Sequence, residues 1–182
     1  MPFFFDTPFR DLAIFEPRIF QDERGYLFES YNQRDFEKAG IQAAFVQDMQ
    51  AFSTQGVLRG LHYQSFPFAQ AKLIRALQGE ILDVVVDLRE AEPTYGQWYS
   101  IRLSDKNQRQ LFVPRGFAHG YLVLSPTALV AYKCDNFYAP SHEAGLRYDD
   151  PTLAINWETD LAAVIVSEKD KAQPEFGKHA KT

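Results

Sequence analysis

A single cysteine, Cys134, leaves no disulfide to form within the chain, and the four histidines stand at no spacing from it that builds a zinc site. The core must therefore be held by packing, and a chain of 182 residues is long enough for that, burying roughly 70% of the surface its unfolded form exposes. Basic residues are not in excess either. The 19 Lys and Arg against 24 Asp and Glu give a charge of −5, which argues against a surface that tracks the phosphates of a nucleic acid. An anionic ligand would have to be held by a few placed arginines. Long apolar runs are also missing. The most apolar stretches, Ile81 to Leu88 and Leu122 to Tyr132, are cut by Asp83, Asp87 and Pro126, far short of the ~20 residues a membrane span requires. From Met1 to Leu12 there is no basic leader and no long apolar core, and Phe3-Phe4-Phe5 meets Asp6 and Arg10 almost at once. With no export signal and no disulfide, a cytoplasmic protein is expected, with no nucleic-acid or membrane partner.

What the chain does have is aromatic residues, 16 Phe and 9 Tyr, in short apolar runs separated by Gly, Pro, Asn and Asp. That texture predicts an all-β fold, a sandwich or barrel of many short strands. The expected strands are 13–20, 26–31, 45–53, 57–64, 71–77, 80–88, 97–103, 117–124 and 128–138. Gln78-Gly79 predicts a hairpin from Ala71 to Leu88, since glycine supplies the positive φ of a tight turn. One helix is predicted from Asn32 to Ala39, with Asn32 as N-cap and Gly40 beyond its end. The tail after Asp149 is less regular, with short helical turns. No repeat or linker interrupts the chain, which reads as one domain over residues 1–182.

Strand alternation sets Lys72, Ile74 and Ala76 on one face, and likewise Ile81, Asp83 and Val85; Phe117, His119 and Tyr121; and Val130, Tyr132 and Cys134. Each mostly apolar row carries an ionisable or hydroxyl group. Burying such a group unpaired costs about 1–3 kcal/mol, so several strands doing so together point to a shared ligand pocket. Taken alone, each residue has a plainer reading. Lys72 suits a snorkelling surface position, His119 a core histidine with Asp83 as its structural partner, and Tyr132 a core aromatic. The segment Leu58-Arg59-Gly60-Leu61-His62-Tyr63-Gln64 is more pointed. A mid-strand glycine marks a bulge or a close ligand approach, and Gly60 separates a residue suited to phosphate from one suited to proton transfer.

These residues resemble the dTDP-4-dehydrorhamnose 3,5-epimerase family. The likeness rests on Phe20-Gln21-Asp22-Glu23-Arg24-Gly25 with Glu29, Phe45-Val46-Gln47-Asp48, the 57–64 segment, Ala71-Lys72-Leu73, Pro114-Arg115-Gly116-Phe117-Ala118-His119-Gly120, Tyr132-Lys133, Asn136-Phe137-Tyr138 and Ser167-Glu168-Lys169-Asp170. It runs colinearly over nearly the whole chain, which no single short motif could do.

The resemblance implies a cupin-type jelly-roll barrel with a few short peripheral helices. It implies a homodimer with strand exchange, in which an N-terminal strand completes the partner's site, and a dTDP-4-keto-6-deoxyhexose substrate inverted at C3 and C5 in dTDP-rhamnose biosynthesis. It makes His62 the base, Asp170 its orienting partner, Tyr132 the proton donor on the other face and Lys72 the enolate-stabilising cation, with His119 and Asp83 as a second dyad. Arg59 and Gln47 would hold the diphosphate and Phe20 and Tyr138 the thymine, while Arg24 and Glu29 would reach across from the partner. The chemistry of these groups agrees, because inversion beside a ketone needs a base and an acid on opposite faces and a cation at the enolate oxygen. No cofactor is expected. Metal-binding cupins use two His and a Glu with a later His, whereas here His62-Tyr63-Gln64 is followed by Lys72, a poor divalent site. The chain departs from the family at Met49 and Ala51, where an Asn and a Ser are usual. Alternatives on the same scaffold are a 3- or 5-monoepimerase, a 3,4-ketoisomerase, a non-catalytic nucleotide-sugar-binding cupin and a metal-dependent oxygenase.

Overall fold

The computed structural model describes residues 2–182, which form mainly β-structure. In chain order the strands are β1 (Phe3–Asp6), β2 (Ala13–Glu16), β3 (Phe20–Asp22), β4 (Gly25–Leu27), β5 (Gln47–Thr54), β6 (Leu58–Gln64), β7 (Lys72–Gln78), β8 (Glu80–Asp87), β9 (Trp98–Ser104), β10 (Gln110–Val113), β11 (Phe117–Val123), β12 (Thr127–Cys134) and β13 (Glu143–Gly145). Two short α-helices, α1 (Gln33–Lys38) and α2 (Glu168–Lys171), complete the regular structure with two 3₁₀ turns. Asn32 caps α1 as its sequence predicts, accepting the Arg34 N–H, and Gly40 follows the helix with φ +85°.

One sheet has six strands in the order β1-β2-β10-β7-β12-β5, and a second has five in the order β13-β6-β11-β8-β9. They pack face to face as a jelly roll. Ile74, Ala76 and Val130 of the first sheet meet Ile81, Val85, Phe117 and Tyr121 of the second in a shared core. The second sheet is covered on its other face as well, by Leu146, Leu153, Ile155 and Trp157 of the C-terminal segment. That double cover accounts for the near-continuous apolar run of β8, seven of whose eight residues are buried. The sheets keep free edges, so the expected barrel is an open sandwich.

The expected hairpin between β7 and β8 does not form. Gly79 makes the turn with φ +77°, yet β7 pairs with β10 and β12 while β8 pairs with β11 and β9. The turn carries the chain from one sheet to the other, so the rows of Ile74 and Ala76 and of Ile81 and Val85 face each other across the core. Local turn chemistry is the same for both outcomes. What selects the crossing is that β8, apolar on both faces, fits only inside a covered sheet. Elsewhere, the predicted strand 13–20 breaks at Pro17 into β2 and β3, and the predicted strand 128–138 ends at Cys134. Beyond that end, the Asp135 carboxylate accepts the Ala71 N–H at 2.6 Å and starts the loop that carries Tyr138. Strands β1, β10 and β13 are too short to show a period in sequence.

Candidate active site

Between the sheets lies a cavity of about 580 Å³, within the usual size of small-ligand sites. Strand β6 brings two residues to it by a bulge. Arg59 stands opposite Tyr121 and His62 opposite His119, so three steps along β6 match two along β11. On a regular strand residues three apart point to opposite faces; the extra residue turns both Arg59 and His62 to the cavity. Glycine is required at this bulge. Gly60 has φ +124°, and a Cβ there would lie 2.5 Å from the Gly120 Cα.

Asp170, on α2, ties the C-terminal segment to this strand. Its carboxylate lies 2.7 Å from His62 Nε2 and accepts the Gly60 N–H at 3.2 Å, while Ser167 caps the helix by accepting the Asp170 N–H. Burial works against the charge on Asp170, but the hydrogen bonds from His62, Gly60 and Ser167 outweigh it and its pKa is lowered. An ionised carboxylate can only accept, so in the neutral form of His62 it is Nε2 that carries the proton and Nδ1 that offers the lone pair of a base. Beside it, His119 Nε2 lies 2.8 Å from Asp83, which is fully buried behind the cavity wall.

From the opposite sheet come Lys72, Tyr132 and Ala51. Burial is the main force on Tyr132, pushing its phenol up to about 12, so it holds its proton and is equipped as a donor. Burial also lowers the Lys72 pKa, opposed in part by the charges of Cys134, Asp83 and Glu143. Ser53, buried on β5, accepts the Arg59 Nε–H at 3.0 Å and fixes the guanidinium. Of the residues singled out from sequence, Arg59, His62, Lys72, His119, Tyr132 and Asp170 thus line one cavity, with Asp83 behind His119.

The remaining five lie outside that lining. Gln47 and Tyr138 are joined to each other, the Gln47 side-chain oxygen accepting the Tyr138 N–H at 2.9 Å. Phe20 and Glu29 line a separate, smaller hollow with Arg18 and Asn32, so within one chain Phe20 is not at the cavity that Tyr132 and His62 share. Arg24 sits at the tip of the β3–β4 hairpin against Asp22, and that hairpin pairs with neither sheet. Sequence reasoning missed Ser53, Ser167, Glu143 and Lys169. Ser53 was within reach, since it shares a strand face with Ala51, and so were Ser167 and Lys169, which stand in the same four-residue motif as Asp170; Glu143 joins them only through tertiary structure. Among the described residues, the buried side-chain polar atoms without a partner are Asp83 Oδ1 and the Tyr121 hydroxyl, opposite each other in the β8–β11 register. Spare hydrogen-bonding capacity beside a cavity suits a ligand or an ordered water.

Fold and site together define a jelly-roll protein of the cupin type whose interlayer cavity is furnished for proton transfer. Residues 6–178 match the family model described as dTDP-4-dehydrorhamnose 3,5-epimerase. The chain is 52% identical over 167 residues to the dTDP-4-dehydrorhamnose 3,5-epimerase of Pseudomonas aeruginosa, covering 91% of each. The enzyme of that name from Elizabethkingia anophelis superimposes with a TM-score of 0.93 at 48% identity, covering 97% of both chains. A Legionella pneumophila dTDP-6-deoxy-D-glucose-3,5-epimerase, solved in complex with dTDP-4-keto-L-rhamnose, gives 0.94 at 45% identity, covering 98% of this chain and 94% of that one. The chain belongs to the dTDP-4-dehydrorhamnose 3,5-epimerase family.

Proposed function

We propose that the chain inverts C3 and C5 of dTDP-4-dehydro-6-deoxy-D-glucose to give dTDP-4-dehydro-L-rhamnose. The observation that carries this reading is that His62 with Asp170 enters the cavity from one sheet and Tyr132 from the other. His62 Nδ1 takes the proton from a carbon beside the ketone, and the C–H electron pair moves onto the ketone oxygen as an enolate. Lys72 stabilises that oxygen, as an oxyanion hole does. The enolate collapses by taking the Tyr132 proton on the opposite face, so the centre is inverted. His62 then loses its proton to solvent and Tyr132 regains one. His119 and Asp83 form a second dyad beside the same ring. No step needs a metal or cofactor. The donor set supports this: among the described residues no three His, Cys, Asp or Glu cluster as ligands, and the cavity is lined by the cations Lys72 and Arg59.

At the other end of the substrate, Arg59 fixed by Ser53, together with Gln47, holds the diphosphate, and Tyr138 stacks on the thymine. Phe20, Arg24 and Glu29 of the partner subunit close the site in a homodimer with strand exchange. The exposed apolar face of the arm supports this: Phe20, Tyr26 and Leu27 are 56%, 59% and 75% accessible. Sedimentation should then give a species of twice the 20.9 kDa chain mass; a monomer with full activity would refute the exchanged arm. A single catalytic domain working in the cytoplasm completes the reading; the lone cysteine is compatible with a reducing compartment, and among the described residues no helix is long and apolar enough to cross a membrane.

The test is product NMR after turnover of the keto sugar in D₂O with EDTA present. Deuterium is expected at both C3 and C5. Durable label at one carbon alone would make the chain a monoepimerase, a reading that Ala51 in the cavity wall keeps in view. No label, or a reaction stopped by EDTA, would overturn the mechanism.

A further inference from the structure

The inner face of the second sheet presents its cavity-lining side chains in two ranks. His62 and His119 stand opposite each other across β6 and β11, and next to them, past the bulge, Arg59 stands opposite Tyr121. All four line the cavity. Three of them are engaged, His62 by Asp170, His119 by Asp83 and Arg59 by Ser53. Tyr121 is not. It is only 3% exposed, yet among the described residues its hydroxyl has no hydrogen-bond partner. Ser53 bears on the phenol but lies outside hydrogen-bond geometry, and its oxygen already accepts the Arg59 Nε–H. Asp83 Oδ1, the other unpartnered atom, belongs to a residue outside the cavity lining. Phenylalanine would fill the same space with no unpaired polar atom, so a hydroxyl kept at a ligand cavity calls for a partner that the ligand brings.

We propose that Tyr121 is a specificity-determining residue that donates a hydrogen bond to the C2 hydroxyl of the hexose. This rests on the nucleotide-sugar reading above and deepens it by naming the sugar group the site requires. The two ranks select that hydroxyl. The imidazoles serve the reacting carbons, C3 and C5, while Arg59 serves the diphosphate carried by C1. C2 is the ring carbon between C1 and C3, so its hydroxyl falls where the ranks meet, beside Tyr121. Neither inversion changes C2, so one fixed donor serves substrate and product alike. Burial raises the Tyr121 pKa against the opposing influence of Arg59 and Ser53, so the phenol holds its proton and acts as the donor. A sugar without that hydroxyl leaves the buried phenol unpaired, and a site built to hydrogen-bond a hydroxyl rejects the analogue that lacks it.

The test crosses wild type and Tyr121→Phe with two substrates, dTDP-4-dehydro-6-deoxy-D-glucose and its 2-deoxy counterpart, and reads kcat/KM for each pair by product NMR. Wild type is expected to lose about tenfold to hundredfold on the 2-deoxy sugar. Tyr121→Phe should lose about tenfold on the 2-hydroxy sugar and discriminate between the two sugars by less than about threefold, the non-additivity of groups in contact. The control probe is dTDP, which carries no hexose. Its dissociation constant, by isothermal titration calorimetry, should differ by less than about threefold between the two proteins, since Arg59 keeps its bond to Ser53. Tyr121→Met, which fills the same core space, takes the place of the phenylalanine variant if that one does not fold. Discrimination of less than about threefold by wild type, as for a phenol that holds only an ordered water, would overturn the proposal. So would a Tyr121→Phe enzyme that keeps full discrimination, or one that weakens dTDP binding as much as turnover, which would make the tyrosine a support for Arg59. A wild type that turns over neither sugar refutes the nucleotide-sugar reading itself, whereas one that turns over both equally refutes this inference and leaves that reading standing.

Discussion

Tyr132→Phe is expected to separate proton exchange from inversion. The phenylalanine fills the same space between the sheets but has no proton to return, while His62 and Asp170 on the facing sheet are untouched. Abstraction should continue, and the enolate should be reprotonated from the side on which it was formed. The starting sugar should therefore take up solvent deuterium, while inverted product falls by about 10²–10⁴, the usual worth of a positioned general acid. Burial, the main cause of the raised pKa, keeps the wild-type phenol protonated well above neutral pH, its own titration lying at about 12. An alkaline decline in rate near neutrality would thus belong to another group. Inversion persisting at the normal rate would remove Tyr132 from the mechanism. Exchange and inversion falling together would place it on the abstraction side.

Which of these groups meet was legible in sequence to the extent that the contact follows from strand period or from a special backbone residue. Alternation alone groups Lys72 with Ile74, Asp83 with Val85, His119 with Tyr121 and Tyr132 with Val130, and all four rows turn to the space between the sheets. Gly60 announces its bulge, and the bulge explains how Arg59 and His62, three residues apart, share a face. Which sheet each strand joins was not legible. Gln78-Gly79 has hairpin chemistry and makes a crossing, because the choice depends on what covers β8 from 60 or more residues away in the chain. The placement of Phe20 is a similar case: its motif matches the family, but the break at Pro17 and the separate β3–β4 pairing put it in another hollow of its own chain, with Arg18 and Glu29, away from the cavity of His62. Asp170 was assigned through the family resemblance alone. Nothing in the local sequence of a four-residue helix states that it will reach across to His62, 108 positions earlier.

His62→Ala should abolish exchange itself. With no imidazole to take the proton, deuterium uptake at C3 and C5 is expected to fall by about 10²–10⁴, and epimerised product with it. Binding should survive, since Arg59 remains fixed by Ser53, and Gln47 at the start of β5 still holds the loop of Tyr138. The dTDP dissociation constant is expected to stay within about threefold of wild type, as for a residue whose contribution is made in the transition state. Asp170 stays anchored by the Gly60 N–H and Ser167, so the helix it belongs to has other reasons to remain in place. The contrast with Tyr132→Phe is the informative part. If one variant exchanges without inverting and the other does neither, the base and the acid are assigned to their faces independently of any structure. Should His62→Ala exchange at the normal rate, the neighbouring His119 with Asp83 becomes the base, because it is the other imidazole in the cavity with a carboxylate to set its tautomer.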